Sequence, residues 1–555
     1  MKHIIYLLMI IGFIFSCTND DDSQIQKEKE PIELKTLPVT NESLYSLELN
    51  AEFKIDDVNL MTEYGFIIDT LKNVSTNNYT WKFDAYIVGN KLVTRLENLI
   101  NNKTLFIKSY VKINGIYYYG NEIEHKLIND NVLYITEDLV IDTQEKLDEL
   151  SSKKYTSIRQ KNKSCSLIIT GSVKDISKLN SIEILKVFYL KIEKTQIENL
   201  NGFNKLKLIN GGENRLYYGV EIHENDKLKK IEGFEELVKN EGTISIYKNP
   251  NLESITSFNK LHLNENKLLI VDNSKLKNVN SFNSLWATSE INIIKNENLL
   301  SLNNSFENLE LAVNGVAITN NNRIESIISF KALKKTDNIS VENNTLLKEI
   351  SFISLEETDF FLNVKFNDNL VKLNFPKYKK TEYINIQSNN ILKSLEGISN
   401  LETDYLEIIS NNSLVSMTSF SNVNISIKIE DNPKLESLKG LENIKTLKGT
   451  FDNASLLISY NNSLEDLSGL DNLEGVYGAS VTISANQNLK SLKGLNNLAS
   501  IKHPYGNSRS LTISENPKLS EYCAIKKFVS NKENNLYTIN NLYNPKVEDI
   551  IKDCN

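Results

Sequence analysis

The chain has 555 residues, of which 40% are hydrophobic and 24% charged, with a formal net charge of -8. That length exceeds one compact core and calls for several domains or a repeat array, and the composition excludes a chain disordered throughout. The acidic balance argues against nucleic acid as a partner, since a nucleic-acid binder needs a basic face.

The first predicted element is an export signal. Lys2 precedes an apolar run from Ile4 to Phe15, about 12 residues where a membrane-spanning helix needs about 20. The run ends in Ile14-Phe15-Ser16-Cys17, which resembles a bacterial lipobox. The resemblance implies that residues 1–16 are a lipoprotein signal peptide and that Cys17 becomes the lipidated N-terminus. Thr18-Asn19 and Asp20-Asp21-Asp22 follow, similar to the surface-export signal of Bacteroidota-type lipoproteins. Residues 17–30 read as an acidic, polar tether. Acyl chains on Cys17 would anchor the protein on the outer membrane, facing the exterior, without spanning it.

Residues 31–127 show strand-like alternation in Tyr45-Ser46-Leu47-Glu48-Leu49, in Tyr64-Gly65-Phe66-Ile67-Ile68 and from Leu105 to Val111. Short strands with turn signals over this length predict a β-sandwich. Tyr64-Gly65-Phe66, the run Thr104 to Val111 and Tyr118-Tyr119-Gly120-Asn121-Glu122 resemble a fibronectin type III-like module of bacterial surface proteins, which implies a spacer. The closing strand departs from that pattern at His125-Lys126-Leu127.

Residues 128–220 are expected to hold a linker, a capping helix and atypical first repeats. The helix is predicted over 143–150, with Thr143 as its cap and Glu145 in the first turn. Two weak repeat turns follow, at Leu167-Ile168-Ile169 and Leu190-Lys191-Ile192.

The regular repeat occupies residues 221–522. A frame residue stands at Ile222, Ile246, Ile270, Ile293, Ile318, Val341, Val364, Ile386, Ile408, Ile429, Ile458, Ile483 and Ile513. In all thirteen copies Asn stands three positions on, Leu or Ile six on, and an apolar or aromatic residue nine on. The mean spacing is about 24 residues. Asn is accordingly abundant, 77 in all. Eleven positions after the frame, Gly, Ser or Asn usually stands (Gly233, Ser257, Gly440), which suits a second turn. The frame residue and its neighbour two before it share the inward face of a strand. Stacked coils then form a parallel sheet, and a buried Asn in each coil offers both a donor and an acceptor to the turn backbone, giving an asparagine ladder. The fold class is therefore mainly β: a sandwich followed by a parallel β-solenoid.

The pattern Leu-x-Ile-x-x-Asn-x-x-Leu-x-x-Leu-x-Gly-Leu, seen from Ile427 to Leu441, resembles bacterial leucine-rich repeats and, more closely, receptor L-domain-like repeats of surface lipoproteins. The resemblance covers about residues 140–555. Residues 523–555 look like that family's C-terminal cap, with Cys523 and Cys554 at its two ends. In an oxidising compartment these two, 31 residues apart, are the predicted disulfide. Cys165 shares the parity of Leu167 and Ile169 and is expected to be a buried thiol.

No catalytic, cofactor or metal residues are assigned. His3, His125, His223, His262 and His503 do not pair at metal-ligand spacing, and no nucleophile-elbow or phosphate-loop motif occurs. The expected chemistry is non-covalent binding, not catalysis. Outward strand positions are mostly polar, as at Glu221, Ser245, Asn292 and Lys428. His223, Tyr247, Ile294, Phe366, Ile409 and Tyr460 interrupt them and are the candidate ligand contacts, too widely spaced for one obvious patch. The expected role is a monomeric surface lipoprotein binding protein or glycan in adhesion or recognition. The alternative is an envelope scaffold or accessory subunit whose partner comes from the same cell.

Overall fold

The computed structural model describes residues 32–40, 42, 46–97, 103–127, 130–161, 164–211, 219–449, 455–478, 480–502 and 510–554. The predicted signal peptide, Cys17, the predicted tether, and His3 and His503 lie outside the described residues. The chain divides into two compact units, Met1–Ile128 and Asn129–Asn555. Among the described residues no helix is long and apolar enough to cross a membrane.

The first unit is two antiparallel sheets. One contains β1 (Ile32–Thr36), β2 (Ser46–Ile55), β5 (Tyr86–Val88) and β6 (Lys91–Glu97), in the order β1-β2-β6-β5. The other contains β3 (Met61–Asp69), β4 (Trp81–Asp84), β7 (Thr104–Ile113), β8 (Ile116–Tyr119) and β9 (Ile123–Lys126). Leu47, Leu49 and Leu92 from the first sheet meet Phe66, Ile68 and Ile107 from the second in one core. The alternation read from the sequence is this inward face. A second, smaller core lies outside β3 and β7, where Ile67, Val74, Phe106 and Tyr110 pack together. Beside it Glu63 binds Lys112 at 2.7 Å, Lys82 at 3.0 Å and the Tyr117 hydroxyl at 2.9 Å. These partners, Lys112 first, pull the Glu63 carboxyl down to about 2.

The second unit is a parallel β-solenoid. Its main sheet has 23 strands among the described residues. The frame residues pair in register from coil to coil, Ile222 with Ile246, Ile246 with Ile270, and on to Ile483 with Ile513. All thirteen are buried, as are the Leu or Ile at the sixth position and the residue at the ninth.

The ladder asparagines are also wholly buried. Each Oδ1 accepts the backbone N–H of the Asn one coil earlier, for example Asn273 N to Asn296 Oδ1 at 3.2 Å. Each Nδ2 donates to the frame carbonyl of the preceding coil, as Asn296 does to Ile270 at 2.9 Å. Thr195 opens the column by donating to Asn225 Oδ1 from both its N–H and its hydroxyl. The residue before every ladder Asn is left-handed, with φ of 51° to 59° from Glu224 to Glu515. That turn aims the following amide inward.

A second column of side chains lies at the next corner. Phe203, Phe234, Phe258, Phe282, Phe306, Phe330, Phe352 and Phe375 are buried and stack with centroids 4.9–5.6 Å apart. The first five are themselves left-handed, with φ of 57° to 65°. A bulky residue there is strained by roughly 1–2 kcal/mol, which burial of the ring offsets. Gly or Ser precedes the first seven of these Phe residues, and two positions show a structural reason. A Cβ on Gly233 would meet the Gly202 carbonyl oxygen at 2.3 Å, whereas Ser281 turns its hydroxyl onto the Ile255 carbonyl at 3.0 Å.

Both ends differ from the sequence expectation. Parallel pairing begins earlier, with Val132–Ile135 on Ser157–Gln160 and Leu139–Ile141 on Leu167–Ile169, so residues 128–220 are mostly coils. The helix α1 (Gln144–Ser152) has its N-terminus capped by Thr143, whose Oγ1 accepts from Lys146, and it buries Leu147 in the solenoid core. At the other end, the stretch read as cap contains one more coil. Asn535–Ile539 pairs with Ser510–Ser514, and Asn541 extends the ladder at 3.0 Å from Asn516 N. The frame position of that coil is Thr538, which hid it. Cys523 and Cys554 are joined, and Cys165 is a free, buried thiol.

Candidate binding face

Residues one and three before the frame, and one after it, point away from the core on the main sheet. Neighbours in these rows come from successive coils, about 4.8 Å apart. Residues far apart in sequence are thereby placed side by side.

The row after the frame reads Glu193, His223, Tyr247, Val271, Ile294, Thr319. Four of the predicted contacts lie in this row: His223, Tyr247, Ile294 and, further along, Ile409. The first three are not widely spaced. With Val271 they form a continuous ribbon, flanked by Leu269 from the row before the frame. Val271, which joins Tyr247 to Ile294, was not among the predicted contacts.

His223 is not an exposed contact. It is 8% exposed because its Nε2 lies 2.9 Å from Glu193 and its ring stacks on Tyr247 with centroids 4.6 Å apart. Its place is to brace Tyr247. Beside it Lys191 pairs with Glu221 at 3.1 Å. Desolvation, and then the charge of Glu221, push the Tyr247 hydroxyl up to about 12, so it stays protonated and can donate. The ribbon thus runs from a charged end into a half-buried apolar stretch.

Phe366 and Tyr460 are not on this face. Each occupies the left-handed corner before a ladder Asn, with φ of 56° and 57°. They are 44% and 51% exposed, but the turn carries them off the sheet.

A second group went unrecognised in the sequence. Phe361, Tyr383 and Tyr405 pair in register three positions before the frame. Two positions on, Asn363, Asn385 and Glu407 form the adjoining row. Tyr383 and Tyr405 have ring centroids 5.8 Å apart, and Asn385 Nδ2 donates to Glu407 at 2.8 Å. Desolvation, and next a hydrogen bond to Glu407, push the Tyr383 hydroxyl above its ordinary range. The signal was an aromatic residue at the same offset in three successive copies, Phe361, Tyr383 and Tyr405.

Among the described residues no group of His, Cys, Asp or Glu could hold a metal ion. A cavity of about 460 Å³ lies at the cap beside Tyr522, Cys523 and Cys554.

No curated protein and no solved structure matches the chain. The Receptor L domain family model matches residues 134–252, which places the coils carrying His223 and Tyr247 within the stretch similar to that family.

Proposed function

We propose that the protein is a receptor-like binding protein that takes a protein or glycan ligand non-covalently on the outward face of its main sheet. The observation that carries this reading is the ribbon Tyr247-Val271-Ile294, an apolar row held open on a rigid sheet. A packed interior has no use for these side chains, whereas an anchor residue at an interface needs that rigidity and partial desolvation. The likeness of residues 134–252 to the Receptor L domain supports it.

In this reading the chain is a monomeric lipoprotein held by Cys17 on the outer membrane and facing out. The two-sheet unit is a fibronectin type III-like spacer, and the protein binds ligand without catalysing a reaction.

The experiment is to probe arrays of cell-surface proteins and oligosaccharides with the full chain and with its Tyr247→Ala and Val271→Glu variants. The expected result is a retained ligand that both variants lose while their melting temperatures hold. Binding indifferent to both changes refutes the assignment of the ribbon. Location is read by protease treatment of intact cells: digestion of the solenoid while a periplasmic control survives is expected, and protection of a solenoid that the same protease cuts when purified refutes an outward address.

A further inference from the structure

Resting on the receptor reading, we propose that the patch formed by Phe361, Tyr383, Tyr405, Asn363, Asn385 and Glu407 is a subsite for a neutral glycan chain.

Three observations on the patch point to this class of ligand. The first is the aromatic row. Three half-buried rings stand in register on successive coils. An aromatic face offers the C–H face of a sugar ring a surface to lie on, and the π-system favours such weakly positive hydrogens.

The second is unused hydrogen-bonding capacity beside the rings. Asn385 is only 5% exposed, yet its Oδ1 has no partner within the protein, and neither has the Oδ1 of Asn363. Buried amide oxygens in native proteins are ordinarily paired. Both amides lie in the row beside the rings, so the unpaired oxygens border the place a sugar would occupy. Glu407, which already holds the Asn385 Nδ2, adds an acceptor in the same row. Rings for stacking, flanked by amides and one carboxylate for hydroxyls, match a polyol with apolar faces.

The third is charge. In these rows Glu407 is the one carboxylate and Lys365, on the far side of Asn363, the one ammonium. Glu382 and Asp404, next to the rings in sequence, add two carboxylates at the edge of the patch, so its surroundings are net acidic and disfavour an acidic polysaccharide. The coil repeat presents ring and amide again every ~4.8 Å, which suits a ligand that is itself a repeating chain.

The test is titration of the full-length protein, by calorimetry and by saturation-transfer NMR, with cellohexaose, xylohexaose, maltohexaose, mannohexaose and, as the acidic control, hexagalacturonate. The proposal expects at least one neutral hexasaccharide to bind with a dissociation constant of about 1 mM or tighter. Tyr383→Ala and Tyr405→Ala should weaken it at least tenfold, Tyr383→Phe should retain the stacking, and Tyr460→Ala, off the sheet face, should leave it unchanged. No binding by any neutral sugar overturns the proposal, as does binding that Tyr383→Ala and Tyr405→Ala do not alter in folded protein. Preference for hexagalacturonate overturns it too. If the sugars fail while an array protein is still lost on Val271→Glu, the glycan subsite alone is refuted. If nothing binds in either assay, the receptor reading fails with it.

Discussion

Two corners of the same coil carry two different columns, and they differ in how strictly their residues are kept. The asparagine column runs unbroken from Asn225 to Asn541. The phenylalanine column runs from Phe203 to Phe375 and then gives way to Ile398, Phe420, Leu441, Leu470, Leu495 and Ile525, all buried. The first corner has to satisfy three backbone groups in fixed directions, which a short neutral amide does. The second has only to fill a volume, which any large apolar residue does. A hydrogen-bonding demand is therefore met by one residue type, and a packing demand by a class of residues. The outward face obeys neither rule, which is why its residues change from coil to coil and are free to recognise a ligand.

The same substitution at both corners should break the comparison most sharply. Asn296→Leu leaves Asn273 N without its acceptor and removes the side-chain donor from the Ile270 and Ile294 carbonyls, of which Ile294 keeps the Asp272 N–H at 2.9 Å. At about 1–3 kcal/mol for each of the two groups that lose a partner outright, the loss should be about 2–6 kcal/mol. Phe282→Leu keeps an apolar side chain of similar bulk and should cost about 1 kcal/mol. Urea denaturation of the full chain separates the two, and equal losses would remove the distinction.

Opening the Cys523–Cys554 bridge by Cys554→Ser releases a loop with a separation of 31 residues. On the loop-entropy model this costs about 3–4 kcal/mol, confined to the terminal coils. Proteolysis of the terminal coils, compared with that of the central coils, reads it.

The Glu63 cluster in the two-sheet unit predicts a pH effect. Its carboxyl falls from an ordinary 4.5 to about 2, so its stabilising contribution is complete above about pH 4.5 and is lost as pH falls towards 2. Glu63→Gln should flatten that part of the stability profile. An unchanged slope would show that the lysines around it are no better paired than in the unfolded chain.

The smallest effect belongs to Phe366→Ala. Its side chain is 44% exposed at a left-handed corner, so both the melting temperature and ligand binding should be unchanged within error. A loss of binding would place the corner, not the sheet, in the site.

The solenoid was legible because the Asn, Leu and frame positions recur at fixed offsets within each copy. The last coil was not, since Thr538 stands where the frame is otherwise Ile or Val. The Phe column stood in plain view as Gly202-Phe203, Gly233-Phe234 and Ser257-Phe258, but the small residue drew attention as a turn signal and the ring after it did not. Half of the six predicted contacts were misplaced for physical reasons. His223 is covered by its neighbours, and Phe366 and Tyr460 are turned off the sheet by a backbone that no side-chain pattern announces. The aromatic row of Phe361, Tyr383 and Tyr405 becomes visible as a unit only once the register between coils is known.

The central claim is that the outward sheet face holds the ligand. Hydroxyl-radical footprinting of the full chain, free and saturated with a ligand taken from the arrays, tests it most directly. The account predicts protection of Tyr247, or of Tyr383 and Tyr405, with Tyr460 labelled as in the free protein. Protection of Tyr460 with the sheet-face tyrosines unchanged would contradict it.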